Sequence, residues 1–110
     1  MATPSPNPPG RESDVAGTLT RLVQQWGLAA EADPVAEGRD NVRVGLRPSQ
    51  GDDQGRPLDV LLAGHLDTVP AGPAHWTADP FGGVVADGAV WGRGSVGMKG
   101  GLADAISATT

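Results

Sequence analysis

Residues 58–70, LDVLLAGHLDTVP, join a short apolar run to a histidine and an aspartate. Residues 58–64 are almost continuously apolar and are bounded by turn residues, which is typical of a central strand covered on both faces. This strand is the best candidate for the core. Because side chains two apart in a strand point to the same side, we expect His65 and Asp67 to project together from its carboxyl end. Open α/β sheets place their ligands at that end.

The pair of His65 and Asp67 permits two interpretations. A neutral imidazole binds a metal through one nitrogen while its other N–H needs an acceptor that fixes the tautomer, and a carboxylate is the usual partner. In this interpretation His65 is a metal ligand and Asp67 orients it. In the other interpretation His65 is a hydrogen-bonded histidine at a strand end and Asp67 is an exposed turn residue. Taken alone, the two residues favour the second interpretation.

The first half of the chain predicts an extended segment, a helix and a strand. Residues 5–10, SPNPPG, are expected to be extended or turning, because proline fixes φ and disfavours helix in the residue before it. Apolar residues at helical spacing predict a helix over residues 12–26, capped by Gly27. Strict alternation over residues 41–46 predicts a half-buried strand.

The second half predicts a hairpin and another helix. Asp87-Gly88 supplies the positive φ values that a tight turn demands, between short strands at residues 84–85 and 89–91. Residues 98–110 predict a helix without a stop signal, so a continuation beyond Thr110 is expected. The sheet edge that this arrangement leaves without cover makes self-association a further expectation.

The composition excludes several classes of partner. A chain of 110 residues is the size of one small domain. A net charge of −5 and scattered basic residues argue against nucleic acid or an anionic membrane as partner, since either needs a clustered basic face. Without cysteine, any metal has to be held by histidine and carboxylate. Because the sequence has neither an apolar leader nor a run of membrane-spanning length, a cytoplasmic protein is expected.

Several stretches occur together in an order and spacing seen in one family of enzymes. They are SPNPPG at residues 5–10, GHLDTVP at 64–70, WTADPF at 76–81, the Asp87-Gly88 turn and GRGSVGMKGG at 92–101. Over nearly its whole length the chain resembles the two-zinc aminoacylase/carboxypeptidase family, which includes acetylornithine deacetylase and succinyl-diaminopimelate desuccinylase. The resemblance implies that residues 1–110 are the N-terminal part of the catalytic domain, with residues 1–10 as an extended first segment. It also implies an incomplete three-layer α/β sandwich with helices on a mixed, mainly parallel sheet.

The resemblance further implies an activity and a set of site residues. In this family two zinc ions activate a water that attacks the carbonyl of a small N-acyl amino acid or peptide. Carried over to this sequence, His65 is a ligand of one zinc, and Asp67 is the catalytic carboxylate associated with it. Family members typically place an aspartate that bridges the two metals where this chain has Gly97. Their glutamate pair, which includes the general base, and their remaining ligands come later in the sequence.

Gly97 and the absent later ligands imply a hydrolase fragment that is inactive as this chain. A catalytic zinc needs about three protein ligands and an open position, whereas this sequence offers one ligand. The alternative is a catalytically inert truncated product. In either case the DNA downstream of Thr110 is expected to encode a Glu-Glu pair and, much later, a histidine.

A third hypothesis is a small dinucleotide-binding domain built on GRGSVG. Gly92, Gly94 and Gly97 fit the pattern G-x-G-x-x-G. A true fingerprint follows the first strand of a βαβ unit, and an acidic residue ends the next strand about 20 residues later. Here the preceding strand is expected to close a hairpin, and the sequence stops before the acidic position. We therefore expect that NAD and NADP do not bind.

Overall fold

A computed structural model describes residues 2–45, 62–73 and 75–109. Its elements are α1 (Ser13–Gln25), β1 (Ala29–Ala36), β2 (Arg39–Gly45), β3 (Val84–Ala86), β4 (Ala89–Trp91) and α2 (Lys99–Ser107). The strands form two antiparallel pairs, β1 with β2 and β3 with β4. The predicted α/β class is therefore confirmed. The parallel pairing found among the described residues is an isolated bridge between Pro6 and Thr68.

Helix α1 confirms the helix predicted for residues 12–26. Gly27, with φ +81°, donates its backbone N–H to the carbonyl of Gln24 at 3.0 Å and ends the helix in the left-handed conformation that glycine favours. Ala16 and Val23 are fully buried, and the helix packs on β1 and β2, where Ala30 is also buried. These three small or medium side chains are the buried apolar core of the described residues, so hydrophobic burial stabilises this part of the chain only modestly.

The β1–β2 hairpin was predicted only in part. Strand β2 matches the alternation predicted for residues 41–46, although Leu46 lies outside the described residues. Strand β1 was not predicted, because its sequence AAEADPVA has a single β-branched residue and a proline. It is a strand because β2 pairs with it through a tight connection at Gly38, φ +72°, and Pro34 is accommodated at an irregularity in the register.

An ion pair with a buried carboxylate ties the start of α1 to this hairpin. The guanidinium of Arg39 donates from Nε and Nη2 to the two carboxylate oxygens of Glu12, at 2.9 and 3.1 Å. The Glu12 side chain is only 7% exposed. Gly10 lies against the same guanidinium, since a Cβ built on it would be 3.0 Å from Arg39 Cζ. The N-terminal segment, the helix and the hairpin therefore meet at this pair.

The β3–β4 hairpin and α2 agree with the sequence in type and differ at one boundary. Asp87 and Gly88 both have positive φ, 53° and 73°, which confirms the predicted tight turn. Helix α2 ends at Ser107 rather than continuing to Thr110. The Thr109 hydroxyl donates to the carbonyl of Ile106 at 2.7 Å, a local side-chain bond that competes with further helix. Among the described residues, no helix is long and apolar enough to cross a membrane.

The central strand predicted for residues 58–64 is the main disagreement. Residues 58–61 lie outside the described residues, and residues 62–64 have no strand partner among the others. Leu62 is 59% exposed, so this position is not the predicted core. The apolar run specifies a preference for burial. Burial itself requires neighbouring elements on both sides, and the described residues do not supply them.

Candidate functional site

The segment that carries His65 and Asp67 is held by the N-terminal segment rather than by a strand. The backbone N–H of Thr68 donates to the carbonyl of Ser5 at 2.9 Å, and that of Asn7 donates to the carbonyl of Thr68 at 2.8 Å. The Ser5 hydroxyl donates to the carbonyl of Leu66 at 2.6 Å. Ser5 and Thr68 are both buried. Residues 5–10, expected to be extended or turning, pair with Thr68 at Pro6 and then turn, with Gly10 N–H donating to the Pro6 carbonyl at 3.0 Å.

The structure brings His65 and Asp67 together as the sequence predicted. The imidazole Nδ1 lies 2.8 Å from Asp67 Oδ1 and 2.9 Å from the Asp67 backbone carbonyl oxygen. An ionised carboxylate and a carbonyl only accept hydrogen bonds, so Nδ1 has to carry the hydrogen. In a neutral ring the lone pair then lies on Nε2, for which the described residues provide no hydrogen-bond partner. The side chain of His65 is 54% exposed, so this nitrogen is open to a ligand.

Asn7 holds the second oxygen of the Asp67 carboxylate. Its side-chain amide Nδ2 donates to Asp67 Oδ2 at 2.9 Å, across a sequence separation of 60 residues. This hydrogen bond is the main cause that lowers the pKa of Asp67, and the hydrogen bond and positive charge of His65 act in the same direction. Partial burial of Asp67 opposes them. The carboxylate is therefore held in its ionised, acceptor form with both oxygens engaged.

Gly97, at the position where the resemblance implies a bridging aspartate, has no donor atom. Its chain neighbour Met98 reaches the site, because the backbone N–H of His65 points to the Met98 sulfur at 3.4 Å. No heavy atom lies within 4 Å of a Cβ built on Gly97. The described residues contain no group of three or more histidine, aspartate or glutamate side chains that could hold a metal ion. With the Asp67 oxygens engaged by His65 and Asn7, these residues do not fit a closed or catalytic zinc site.

Two basic residues near the site are engaged in contacts within the chain. Lys99 donates from Nζ to the carbonyl of Thr3 at 2.7 Å, and burial lowers the pKa of its ammonium. The guanidinium carbon of Arg93 lies 4.8 Å from the ring centroid of Trp76, a distance typical of a cation–π contact. Lys99 therefore ties the N-terminal segment to the GRGSVGMKGG stretch, and Arg93 ties the loop before β3 to it.

The site opens into a cleft of about 970 Å³. His65 and Asp67 line it together with apolar side chains of β2 and α2, among them Val44 and Leu102. The GRGSVG stretch follows β4, which pairs antiparallel with β3 and so closes a hairpin. This is not the context of a dinucleotide fingerprint, which follows the first strand of a parallel βαβ unit.

Comparison with known proteins identifies the family. Residues 61–110 match peptidase family M20/M25/M40. The succinyl-diaminopimelate desuccinylase of Polynucleobacter necessarius subsp. necessarius is 38% identical over 96 residues, 83% of this chain and 24% of that protein. Over these residues the chain is similar to this family. The desuccinylase of Rhodospirillum centenum is 60% identical over 51 residues, which are 46% of this chain and 13% of that protein.

These matches confirm the resemblance to the family and define its extent. The succinyl-diaminopimelate desuccinylase of Methylobacterium nodulans is 64% identical over 45 residues, which are 40% of this chain and 11% of that protein. The chain spans about a quarter or less of the length of these curated relatives. Members of the family are hydrolases and are generally metal-dependent.

Asn7 was not recognised as a site residue from the sequence. The prolines of SPNPPG predict an extended or turning backbone, and they give no role to the Asn7 side chain. A signal was nevertheless present, because the only polar side chains within the stretch, Ser5 and Asn7, both hydrogen-bond to residues of GHLDTVP.

Proposed function

We propose that this chain forms part of the catalytic domain of a zinc-dependent hydrolase that cleaves the amide bond of a small N-acyl amino acid or peptide. In this proposal residues 1–110 are the N-terminal part of that domain. His65 contributes one metal ligand through Nε2, and Asp67 is the carboxylate that orients it. The observation that carries the proposal is the Asp67–His65 hydrogen bond at 2.8 Å, which leaves the lone pair of Nε2 free to bind a metal.

The names of the relatives support a substrate class. The three relatives described above are succinyl-diaminopimelate desuccinylases. Removal of a succinyl group from an amine is hydrolysis of an amide, the reaction class implied by the resemblance. We therefore propose an N-acyl amino acid with an acidic acyl group as the first substrate to test.

We further propose that the chain as given does not catalyse this reaction. Gly97 supplies no metal donor, and the glutamate pair implied by the resemblance is not among these residues. The expected consequence is that the isolated chain hydrolyses neither succinyl-diaminopimelate nor acetylornithine, with or without added zinc.

A chimeric enzyme tests the proposal. The segment of the Polynucleobacter desuccinylase that aligns with this chain is replaced by the residues of this chain, once with Gly97 and once with Gly97→Asp. The Gly97→Asp chimera is expected to release succinate from succinyl-diaminopimelate, whereas the Gly97 chimera is not. Adding His65→Ala to the active chimera should abolish the activity, because the proposed ligand is then removed.

Two results would contradict the proposal. One is a folded Gly97→Asp chimera that holds zinc and releases no succinate. The other is an active chimera that retains its activity after His65→Ala, since His65 would then have no part in the site.

A further inference from the structure

We propose that Asn7 is a positioning residue, whose side-chain amide holds Asp67 in the orientation from which Asp67 fixes the His65 ring. This inference rests on the proposed role of His65 and adds to it a residue 60 positions earlier in the sequence. Asn7 contacts neither substrate nor metal in the proposal. It acts through Asp67 alone.

The geometry gives each Asp67 oxygen one side-chain partner. Asn7 Nδ2 lies 2.9 Å from Oδ2, and His65 Nδ1 lies 2.8 Å from Oδ1. A carboxylate held at one oxygen only can rotate about its Cβ–Cγ bond, because that terminal torsion is broad. The Asn7 hydrogen bond fixes this rotation and thereby keeps Oδ1 facing the ring.

Asn7 is itself fixed relative to Asp67 by its backbone. Its N–H donates to the carbonyl of Thr68, the residue next to Asp67, at 2.8 Å. Backbone and side chain of Asn7 thus close a ring of hydrogen bonds with two consecutive residues of the site segment. The amide therefore has little freedom to leave the carboxylate.

Anchoring the N-terminal segment does not require the Asn7 amide. Three other hydrogen bonds join that segment to residues 66–68, from Ser5 Oγ to Leu66 O, from Thr68 N to Ser5 O and from Asn7 N to Thr68 O, and Lys99 Nζ donates to Thr3 O. All of them involve atoms other than the Asn7 side chain. The amide adds a contact to the carboxylate, and its distinct effect is on the orientation of Asp67 and His65.

The consequence for His65 is a fixed tautomer. With Asp67 held, the hydrogen lies on Nδ1 and the lone pair on Nε2, the arrangement that a metal ligand needs. Without the Asn7 amide, Asp67 is free to turn away and the Nδ1–H tautomer loses part of its stabilisation. The Asp67 backbone carbonyl, 2.9 Å from Nδ1, preserves the rest.

The test measures the tautomer of His65 in the metal-free chain. The sequence has only one other histidine, so His75→Gln leaves His65 as the sole imidazole signal. The ¹⁵N shifts of its ring nitrogens, recorded at about pH 8 where a histidine is ordinarily neutral, give the ratio of the two tautomers. Asn7→Leu removes the amide at similar volume, and Asn41→Leu, at the only other asparagine, is the matched control.

We expect Asn7→Leu to lower the ratio of Nδ1–H to Nε2–H tautomer about fivefold, the change that one hydrogen bond of ordinary net strength produces. Asn41→Leu should leave the ratio unchanged. If Asn7→Leu does not fold, Asn7→Asp replaces it, since it keeps the shape, removes the donor and is expected to lower the ratio as well. An unchanged ratio in a natively folded Asn7 variant would overturn the proposal.

This outcome is independent of the proposed enzymatic function. The tautomer is measured without metal or substrate, so the role of Asn7 can fail while the Gly97→Asp chimera is active. Conversely, the fivefold tautomer change can be observed in the metal-free chain even if the Gly97→Asp chimera is inactive.

Discussion

The sulfur of Met98 lies 3.4 Å from the backbone nitrogen of His65, so the loop that contains Gly97 meets the candidate site directly. The approach is close, since a Cβ at Gly64 would lie 2.7 Å from Met98 Cε and 2.6 Å from Leu102 Cδ2. Only glycine fits at position 64 without a shift of both side chains. A side chain at position 97 would therefore extend from a backbone that is adjacent to the His65 segment.

The purified chain is expected to hold no stoichiometric zinc. One histidine cannot form a closed or catalytic site, and the Asp67 oxygens are engaged by His65 and Asn7. Metal analysis after dialysis is the measurement. About one tightly bound zinc per chain would contradict this prediction and would show that a donor set has been overlooked.

Gly97→Asp is expected to fold and to raise the affinity for zinc, because it adds a carboxylate to the loop that meets the His65 segment. A Cβ at this position meets no heavy atom within 4 Å, so the new side chain has space. Titration with zinc against a chelating indicator measures the change. We expect no hydrolysis of succinyl-diaminopimelate by this variant, because the general base is still missing.

The matched control is Gly94→Asp in the same loop. Gly94 has φ +89°, and a Cβ there would lie 2.8 Å from Thr68 Cγ2. This substitution should destabilise the fold by about 1–3 kcal/mol, the usual cost of a strained left-handed residue. Equal stability of the two variants would contradict the finding that a side chain has space at Gly97 and not at Gly94.

NAD and NADP are expected not to bind. The GRGSVG stretch follows β4, which is the second strand of an antiparallel hairpin and not the first strand of a βαβ unit. Tryptophan fluorescence is the measurement, because Trp91 ends the strand before this stretch. A flat titration into the millimolar range is expected, and saturation at micromolar cofactor would restore the dinucleotide hypothesis.

Local signals account for the part of the fold that the sequence predicted. Helix α1 and the Asp87-Gly88 turn depend on neighbours within a few residues, and both were predicted at the right place. Strand β1 owes its conformation to pairing with β2, which its own composition does not reveal. Exposure of Leu62 shows the same limit, since an apolar run does not specify what will cover it.

The candidate site divides in the same way. His65 and Asp67 are two residues apart, so backbone geometry alone brings them together. Asn7 joins them through pairing of segments about 60 residues apart, which no periodicity encodes. The inference that a metal-bridging aspartate is replaced at Gly97 depends on the resemblance, because a glycine by itself gives no indication of a missing ligand.

The Glu12–Arg39 pair, in which the carboxylate is buried, is expected to matter more for stability than the exposed pairs of Arg43. Arg39→Ala leaves the Glu12 carboxylate, whose side chain is only 7% exposed, without its partner and should cost about 1–3 kcal/mol of unfolding free energy. Glu31→Ala breaks a solvent-exposed contact with Arg43 and should leave the unfolding free energy nearly unchanged. Urea unfolding of both variants provides the comparison, and equal losses would contradict the role assigned to burial.

Asp67 should make the stability of the chain depend on pH in the acid range. Its pKa is lowered in the folded state, first by the hydrogen bond from Asn7 and also by His65, so folding favours the ionised carboxylate. The stability it supplies is therefore fully present above the unfolded pKa of about 3.9 and is lost as the pH falls through the lower folded value.

Asp67→Asn tests this linkage. The variant cannot ionise, so the difference in unfolding midpoint between the native chain and Asp67→Asn should be largest at about pH 5 and should shrink towards about pH 2. Asp33→Asn is the control, because Arg43 lowers the pKa of Asp33 as well, but at an exposed pair that salt screens. We therefore expect added salt to reduce the Asp33 difference more than the Asp67 difference. A difference for Asp67→Asn that is the same at both pH values would mean that its carboxylate is not held in the ionised form by Asn7 and His65.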